Sequence, residues 1–208
     1  MSWSLGETSA LAVKAARGCG MSWGLADEAG YAVRWLQARA LPGVAALCCY
    51  LNWRASGKLV DWPAEVGATS SYCPIQTGTA LADGGITLDT QFSRVQNPLL
   101  MLPFIALRAG SNVIRIELDK IRIDVNQMGA GCSHNKTAIL VQNAICTLST
   151  DPSDMLPITY FEAYPLPRVP SDATCCMNTL GRFAAKTYAP STEQSRLRGA
   201  GAGLTDND

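Results

Sequence analysis

Two arginines and a run of oxygen-bearing side chains stand at the end of the sequence. Ser195, Arg196 and Arg198 precede a Gly-Ala-Gly-Ala-Gly stretch at 199–203, and Thr205, Asp206 and Asp208 follow it. A guanidinium grips a carboxylate or phosphate through two parallel hydrogen bonds. Hydroxyl and carboxylate oxygens suit hard cations such as Mg²⁺ or Ca²⁺. If the glycines turn the chain back, Arg196 and Arg198 can meet Asp206 or a bound anion. The expectation is a site for a small anionic ligand formed by Ser195, Arg196, Arg198, Thr205, Asp206 and Asp208, with no metal and no cofactor assigned. The competing reading is a solvated terminus, because ordering glycines costs much conformational entropy. The segment is not a phosphate loop, since no Gly-Lys-Ser/Thr closes it. It is not a dinucleotide fingerprint either, since it neither follows a strand nor opens a helix.

Other residues with chemistry are scattered. His134 is the single histidine, so any Ser-His or Cys-His pair has to use it. It sits in the glycine-rich stretch 129–136 with Cys132, and two residues do not make a zinc site. A polar turn is the simpler reading. Cys73 before Pro74 falls outside any amphipathic pattern, as does Asp83. Cys73 is the one candidate nucleophile, with packing as the competing reading. The eight cysteines include two adjacent pairs, Cys48-Cys49 and Cys175-Cys176, and no C-x-x-C. Helical neighbours point about 100° apart and do not bridge each other. Free thiols acting as small buried hydrophobes in a reducing compartment are expected. Trp3, Trp23, Trp35, Trp53 and Trp62 cluster toward the N-terminus, where they line a pocket or interface or fill a helical core.

The elements that must carry these groups follow from periodicity. Ser4 and Glu7 have capping-box spacing, and Leu11, Ala12, Ala15 and Cys19 share one helical face before Gly18 and Gly20 stop the helix. A second helix begins near Ser22 or Trp23, with Leu25, Ala29, Ala32, Val33 and Leu36 inward. A third carries Val44, Leu47, Cys48 and Leu51. Asn52 to Tyr72 reads as a loop. Leu81 to Leu88, split by Asp83-Gly84-Gly85, reads as a β-hairpin. Asn97-Pro98 opens a buried helix that reaches Ala109, although Pro103 sits awkwardly inside it. Val113 to Val125 alternates strictly and predicts an antiparallel hairpin with Arg115, Glu117, Arg122 and Asp124 on a wet face. Thr137 to Leu148 and Ile158 to Tyr164 read as strands. A helix from Ser171 places Met177, Leu180, Ala184 and Tyr188 on its buried stripe.

Composition narrows the class. The 208 residues carry 17 basic and 17 acidic side chains, with 48% hydrophobic and only 16% charged residues. That is too apolar for a disordered chain and too neutral for a nucleic-acid binder. Sparse charge favours association, so a homo-oligomer or a complex subunit is expected. Met1 to Thr8 has no basic leader region, and the longest apolar run falls short of a membrane span, so the expected location is cytoplasmic, with no membrane partner.

Two segments carry a resemblance: Ser4-Leu5-Gly6-Glu7 with the stretch 20–30, and the ending from Thr187-Tyr188 through Ser195-Arg196 to the Gly-rich 199–208. The chain resembles a family of proteobacterial proteins of unknown function, over its whole length and most specifically at its ends. The resemblance implies no activity. A weaker likeness, over the first helices alone, is to NAD-dependent dehydrogenases of the malate/lactate type, whose downstream motifs are missing.

The reading is a single α+β domain, 1–208, with N-terminal helices, a mainly antiparallel sheet, a C-terminal helix and the Gly-rich segment 199–208. The expected function is binding of a small anionic metabolite, with or without catalysis, at a site completed by the C-terminal segment. The alternative is a non-catalytic subunit or scaffold that docks on a partner protein.

Overall fold

The computed structural model describes residues 2–57, 59–60, 71–134, 139–150, 152–160, 169 and 173–188. Three helices open the chain: α1 (Leu5–Gly18), α2 (Trp23–Ala38) and α3 (Gly43–Arg54). The capping box at α1 is complete. The Ser4 hydroxyl accepts from the Glu7 N–H, and the Glu7 carboxylate accepts from the Ser4 N–H. Ser22 caps α2 in the same way through the Leu25 N–H. Two short strands, β1 (Leu59–Val60) and β2 (Ser71–Tyr72), precede α4 (Pro74–Ala82). β3 (Gln91–Gln96) leads into a 3₁₀ turn at Pro98–Met101 and α5 (Leu102–Ala109). Then come β4 (Ile114–Leu118), β5 (Ile121–Asn126), β6 (Gly129–Cys132), β7 (Asn143–Thr150), β8 (Thr159–Tyr160) and α6 (Thr174–Ala185).

Among the described residues the strands form one sheet in the order β1-β2-β3-β7-β4-β5-β6-β8. The pairs β1–β2 and β2–β3 are parallel, and every other pair is antiparallel. The helices pack on one another and on the sheet, α1 against α2 and α6, α3 against α2 and α6, α4 against α5. This is an α+β fold. Two close approaches depend on absent side chains. A Cβ on Gly18 would collide with the Phe183 carbonyl of α6, and one on Gly30 would reach Val13 Cγ2 at 2.5 Å and the Ser9 carbonyl at 3.1 Å. Only glycine lets α1 approach both neighbours this closely.

Five expectations fail, each for a local reason. Asn52 to Tyr72, read as a loop, holds the end of α3 at Asn52 to Arg54 and the paired strands β1 and β2, which are only two residues long and show no alternation to read. The hairpin expected over 81–88 does not exist. Leu81 and Ala82 end α4, and Asp83 and Gly84 form its C-terminal turn. Pro74 at the first helical position and the Cys73 cap start that helix well before the turn glycines Gly84 and Gly85, and a start signal outranks a turn read in isolation. The expected helix from Asn97 to Ala109 breaks into a 3₁₀ turn and α5. Pro103 falls within the first two positions of α5, where its missing N–H costs nothing. Asn97 precedes the 3₁₀ turn with φ +45° and makes no side-chain cap. Tyr188 is exposed rather than on the buried stripe of α6; its ring lies beyond the helix end, near the Lys14 ammonium. Ser171 and residues 137–138 and 161–164, called as parts of a helix and two strands, lie outside the described residues, and the adjoining elements are α6, β7 and β8.

The fifth failure concerns the wet face of the β4–β5 hairpin. The apolar side is as expected, with Ile114, Ile116, Leu118, Ile123 and Val125 buried. On the other side Arg115 and Asp124, directly opposite each other in register, are buried as well. Arg115 Nε donates to Asp124 Oδ1 at 2.6 Å and Nη2 to Oδ2 at 2.9 Å, a two-pronged pair. The segment 152–158 covers it. The Leu156 N–H donates to Asp124 Oδ2, Arg115 Nη2 donates to the Asp154 carbonyl, and the Asp154 carboxylate accepts from Arg115 and Arg122. Gly131 on β6 leaves room for the Pro157 carbonyl.

Removing one member of this pair strands the other charge in the interior. Asp124→Ala is expected to cost about 3–5 kcal/mol of unfolding free energy, measured by urea denaturation. The Arg115 and Arg122 guanidinium groups hold the exposed Asp154 carboxyl below its ordinary value of 3.8. A depressed carboxyl contributes stability that is present above the ordinary value and lost as the pH falls through the depressed one. Asp154→Asn should therefore flatten the stability–pH curve below about pH 4; an unchanged acid limb would show that Asp154 does not hold the segment.

Candidate functional site

Where the parallel strands end, polar groups collect in the interior. Tyr72 of β2 is in register with Val95 of β3, so Cys73 comes beside Gln96, and Asn97 follows. The carboxyl ends of parallel strands are where open α/β sheets hold ligands, because helix N-termini and loops converge there. Here α4 starts at that edge and packs on the 3₁₀ turn that Asn97 introduces.

Cys73 is the cap of α4. Its sulfur accepts from the Gln76 N–H at 3.4 Å and lies 2.8 Å from the Tyr50 hydroxyl, and the cysteine is 2% exposed. Arg54, one turn along α3 from Tyr50, donates from Nη1 to the same hydroxyl at 3.3 Å and from Nε to the Cys19 carbonyl. The Tyr50 oxygen accepts from the guanidinium and shares a hydrogen bond with the Cys73 sulfur in which either atom can donate. Burial pushes the Cys73 thiol up, and the Gln76 N–H, the Tyr50 hydroxyl and Arg54 only partly oppose it. Burial, with Cys73 beside it, pushes the Tyr50 phenol well up. Burial works against the Arg54 charge, but Tyr50 and the two thiols outweigh it and raise its pKa. The cation is retained; the thiol and phenol stay protonated.

On the first turn of α4 and at the end of β3, four buried polar atoms have no hydrogen-bond partner among the described residues: Gln76 Oε1, Thr77 Oγ1, Gln96 Oε1 and Asn97 Nδ2. Thr77 and Asn97 are fully buried and Gln96 is 4% exposed. Gln96 Nε2 donates to Asn97 Oδ1 at 3.3 Å. Exchanging the oxygen and nitrogen of both amides leaves the same inventory, one acceptor and one donor unused. Buried polar groups without partners cost about 1–3 kcal/mol each. They concentrate where a protein gives up stability for function.

The residues singled out by sequence are distributed differently. Ser195, Arg196, Arg198, Thr205, Asp206 and Asp208 all lie outside the described residues, as does Trp62. Cys73 is at the cluster; Asp83 is at the far end of α4. His134 is exposed, with Nδ1 2.8 Å from the Ser133 hydroxyl. Among the described residues no three His, Cys, Asp or Glu side chains come together as metal ligands, and no helix is long and apolar enough to cross a membrane. Trp35 is buried in the helical core beneath the Arg39 guanidinium, whereas Trp23 is exposed and stacked on Arg17. All eight cysteines are free. Cys48, Cys73 and Cys146 are buried as expected, Cys19, Cys49 and Cys176 are partly covered, and Cys132 and Cys175 are exposed. Tyr50, Arg54, Gln76, Thr77, Gln96 and Asn97 escaped the sequence reading. The Asn97-Pro98 pair was the one available signal, and it reads equally well as a helix start.

A protonated, enclosed Cys73 should resist alkylation. Iodoacetamide on the native chain at neutral pH is expected to label Cys132 and Cys175 first and Cys73 only on unfolding, as followed by peptide mass spectrometry. Labelling of Cys73 as fast as the exposed pair would make it an activated nucleophile instead.

Comparison with known proteins finds a likeness over part of this geometry. Neither the curated proteins nor the solved structures include a match to the chain. Residues 3–83 match the family model described as "Protein of unknown function (DUF3726)". The match takes in α1 to α4 and, with them, Tyr50, Arg54, Cys73, Gln76 and Thr77. Gln96, Asn97 and the Gly-rich ending lie beyond it, so a DUF3726 domain of unknown function covers residues 3–83 of this chain.

Proposed function

We propose that the chain binds a small anionic metabolite at the carboxyl ends of β2 and β3. The observation that carries this reading is the set of buried polar atoms on Gln76, Thr77, Gln96 and Asn97 without partners among the described residues, with the Arg54 cation linked through Tyr50 to Cys73 at the start of α4. The inventory describes its ligand. Two carbonyl acceptors call for N–H or O–H donors, the spare amide N–H calls for a carbonyl or carboxylate oxygen, and the Thr77 hydroxyl serves either need. Arg54 adds attraction for negative charge. A small carboxylate that also bears an amino or amide group satisfies all of these. Ser195, Arg196, Arg198, Thr205, Asp206 and Asp208 are proposed to complete the site, as the guanidinium-rich and oxygen-rich part of the sequence. With the Cys73 thiol and Tyr50 phenol protonated, binding is favoured over nucleophilic catalysis.

Thr77→Val tests the reading. Valine matches threonine in shape and removes a buried hydroxyl that has no partner. The variant is expected to be more stable than the parent by about 1 kcal/mol without ligand. In a thermal-shift series of amino acids, dicarboxylates and inorganic phosphate, an amino- or amido-carboxylate should raise the parent's Tm, since a ligand at 100 times its Kd adds about 2.7 kcal/mol. The rise should shrink in Thr77→Val. A destabilised variant, with no probe shifting the parent, would remove the proposal.

A further inference from the structure

Two buried amides sit side by side at the end of β3. Gln96 is the last residue of the strand, in register with Asn143 of β7, and Asn97 follows it before Pro98 opens the 3₁₀ turn. In an extended strand, successive side chains point to opposite faces. Asn97 breaks that alternation with a left-handed backbone, φ +45° and ψ +59°. The two amides meet, and Gln96 Nε2 donates to Asn97 Oδ1 at 3.3 Å. The turn itself does not call for an amide, since glycine adopts positive φ at lower cost. Nor does the backbone use the side chain. The Asn97 N–H donates to the Gln142 carbonyl at 2.6 Å, and the Asn97 carbonyl accepts from the Leu100 N–H at 3.0 Å.

Two primary amides can exchange two hydrogen bonds. This pair makes one. Gln96 Oε1 and Asn97 Nδ2 are left without a partner among the described residues, on side chains whose residues are 4% and 0% exposed. The pair therefore keeps one acceptor and one donor away from water. Reversing oxygen and nitrogen in both amides exchanges the roles and leaves the same two vacancies. Few groups fill both. A carboxylate has only acceptors and opposes Gln96 Oε1. An ammonium or guanidinium has only donors and opposes Asn97 Nδ2. A carboxylic acid has both but is ionised at neutral pH. The N–H and C=O of a trans peptide point away from each other. A primary carboxamide presents an N–H and a C=O on the same side of one carbon.

We propose that Gln96 and Asn97 determine the specificity of the metabolite site by reading a primary carboxamide. Its N–H donates to Gln96 Oε1 and its C=O accepts from Asn97 Nδ2. The proposal rests on the reading that an anionic metabolite binds at the carboxyl ends of β2 and β3, and it narrows that metabolite to a small carboxylate that bears a carboxamide. Gln76 Oε1 and Thr77 Oγ1, on the first turn of α4, remain for the rest of the molecule. Burial supplies the discrimination. An analogue without the N–H or without the C=O leaves a buried group unpaired, and a site built to hydrogen-bond a substrate group rejects such analogues strongly.

The test is isothermal titration calorimetry on the full chain at neutral pH. The probes are the amides L-asparagine and L-glutamine, the acids L-aspartate and L-glutamate, and the amines L-2,4-diaminobutyrate and L-ornithine. One amide is expected to bind at least about 100-fold more tightly than its acid and its amine. Gln96→Met keeps the side-chain length and removes one amide, and should cut that preference to about tenfold or less. Thr77→Val lies outside the pair and should weaken binding while keeping the preference. Asn97→Gly suits the left-handed turn and removes the other amide, so it should lose the preference in the same way even if Gln96→Met fails to fold. An acid or amine that binds as tightly as the amide would overturn the carboxamide inference and leave the anionic site standing. A preference that survives in either amide variant would place the recognition on other residues and overturn it as well. Binding by none of the six probes would remove the site and the inference together.

Discussion

Arg115 and Asp124 meet inside the sheet with four polar atoms aligned, and the architecture around them follows from satisfying that pair. A charge removed from water is tolerable only if its partner and its spare lone pairs are also engaged. The hairpin register puts the two residues opposite each other. The segment 152–158 supplies what remains, through the Leu156 N–H and the Asp154 carbonyl and carboxylate. That segment runs on into β8, which pairs with β6 at the sheet edge. A face that alternation marks as polar is thereby closed, and the chain between β7 and β8 is held to the sheet by directional bonds rather than by apolar packing.

The same constraint is met differently at the opposite end of the sheet. At the carboxyl ends of β2 and β3, Tyr50, Arg54 and Cys73 satisfy one another, while Gln76, Thr77, Gln96 and Asn97 keep unused capacity. Asn97 also holds a left-handed backbone conformation, uncommon for a residue with a side chain. Its N–H donates to the Gln142 carbonyl, and its own carbonyl accepts from Leu100, so the strain is held by backbone bonds on both sides. Unused hydrogen bonds and backbone strain in one place are a loss of stability that packing alone does not require. The contrast between the two ends makes the second the place to look for a ligand.

The helical layer supports that site from below. α3 carries Tyr50 and Arg54 toward the start of α4 and, farther around its surface, Cys48 toward α6. One helix therefore borders the polar cluster and packs on α6. Its position is fixed by α2 and α6, and α1 approaches α2 and α6 closely because Gly30 and Gly18 carry no side chain. These are close backbone approaches, and at one of them the Ser9 hydroxyl donates to the Gly30 carbonyl at 3.0 Å, which keeps the helices that carry the polar groups well placed.

The sequence by itself determined the local parts of this protein. The capping box of Ser4 and Glu7, the inward faces of α1 to α3, the β4–β5 hairpin and the α+β class all follow from spacing, since 3.6- and 2-residue periods and cap chemistry act over a few residues. The adjacent cysteine pairs were equally visible, but nothing in their spacing announced that Cys48 is buried and Cys175 exposed. Where two local signals competed, sequence was a poor judge: Asp83-Gly84-Gly85 reads as a hairpin turn until Cys73-Pro74 is recognised as the start of a helix that ends there. Tertiary structure alone decided which polar residues leave water. Arg115 and Asp124 have the same alternating pattern as any solvated face, and only the arrival of 152–158 from more than twenty residues away buries them. Gln96 and Asn97, at and just past the end of β3, come beside Cys73 only through the parallel register of β2 and β3, and Tyr50 and Arg54 come there only as α3 brings the Tyr50 hydroxyl to the Cys73 sulfur. Burial is a property of distant segments meeting, and no window of neighbouring residues contains it.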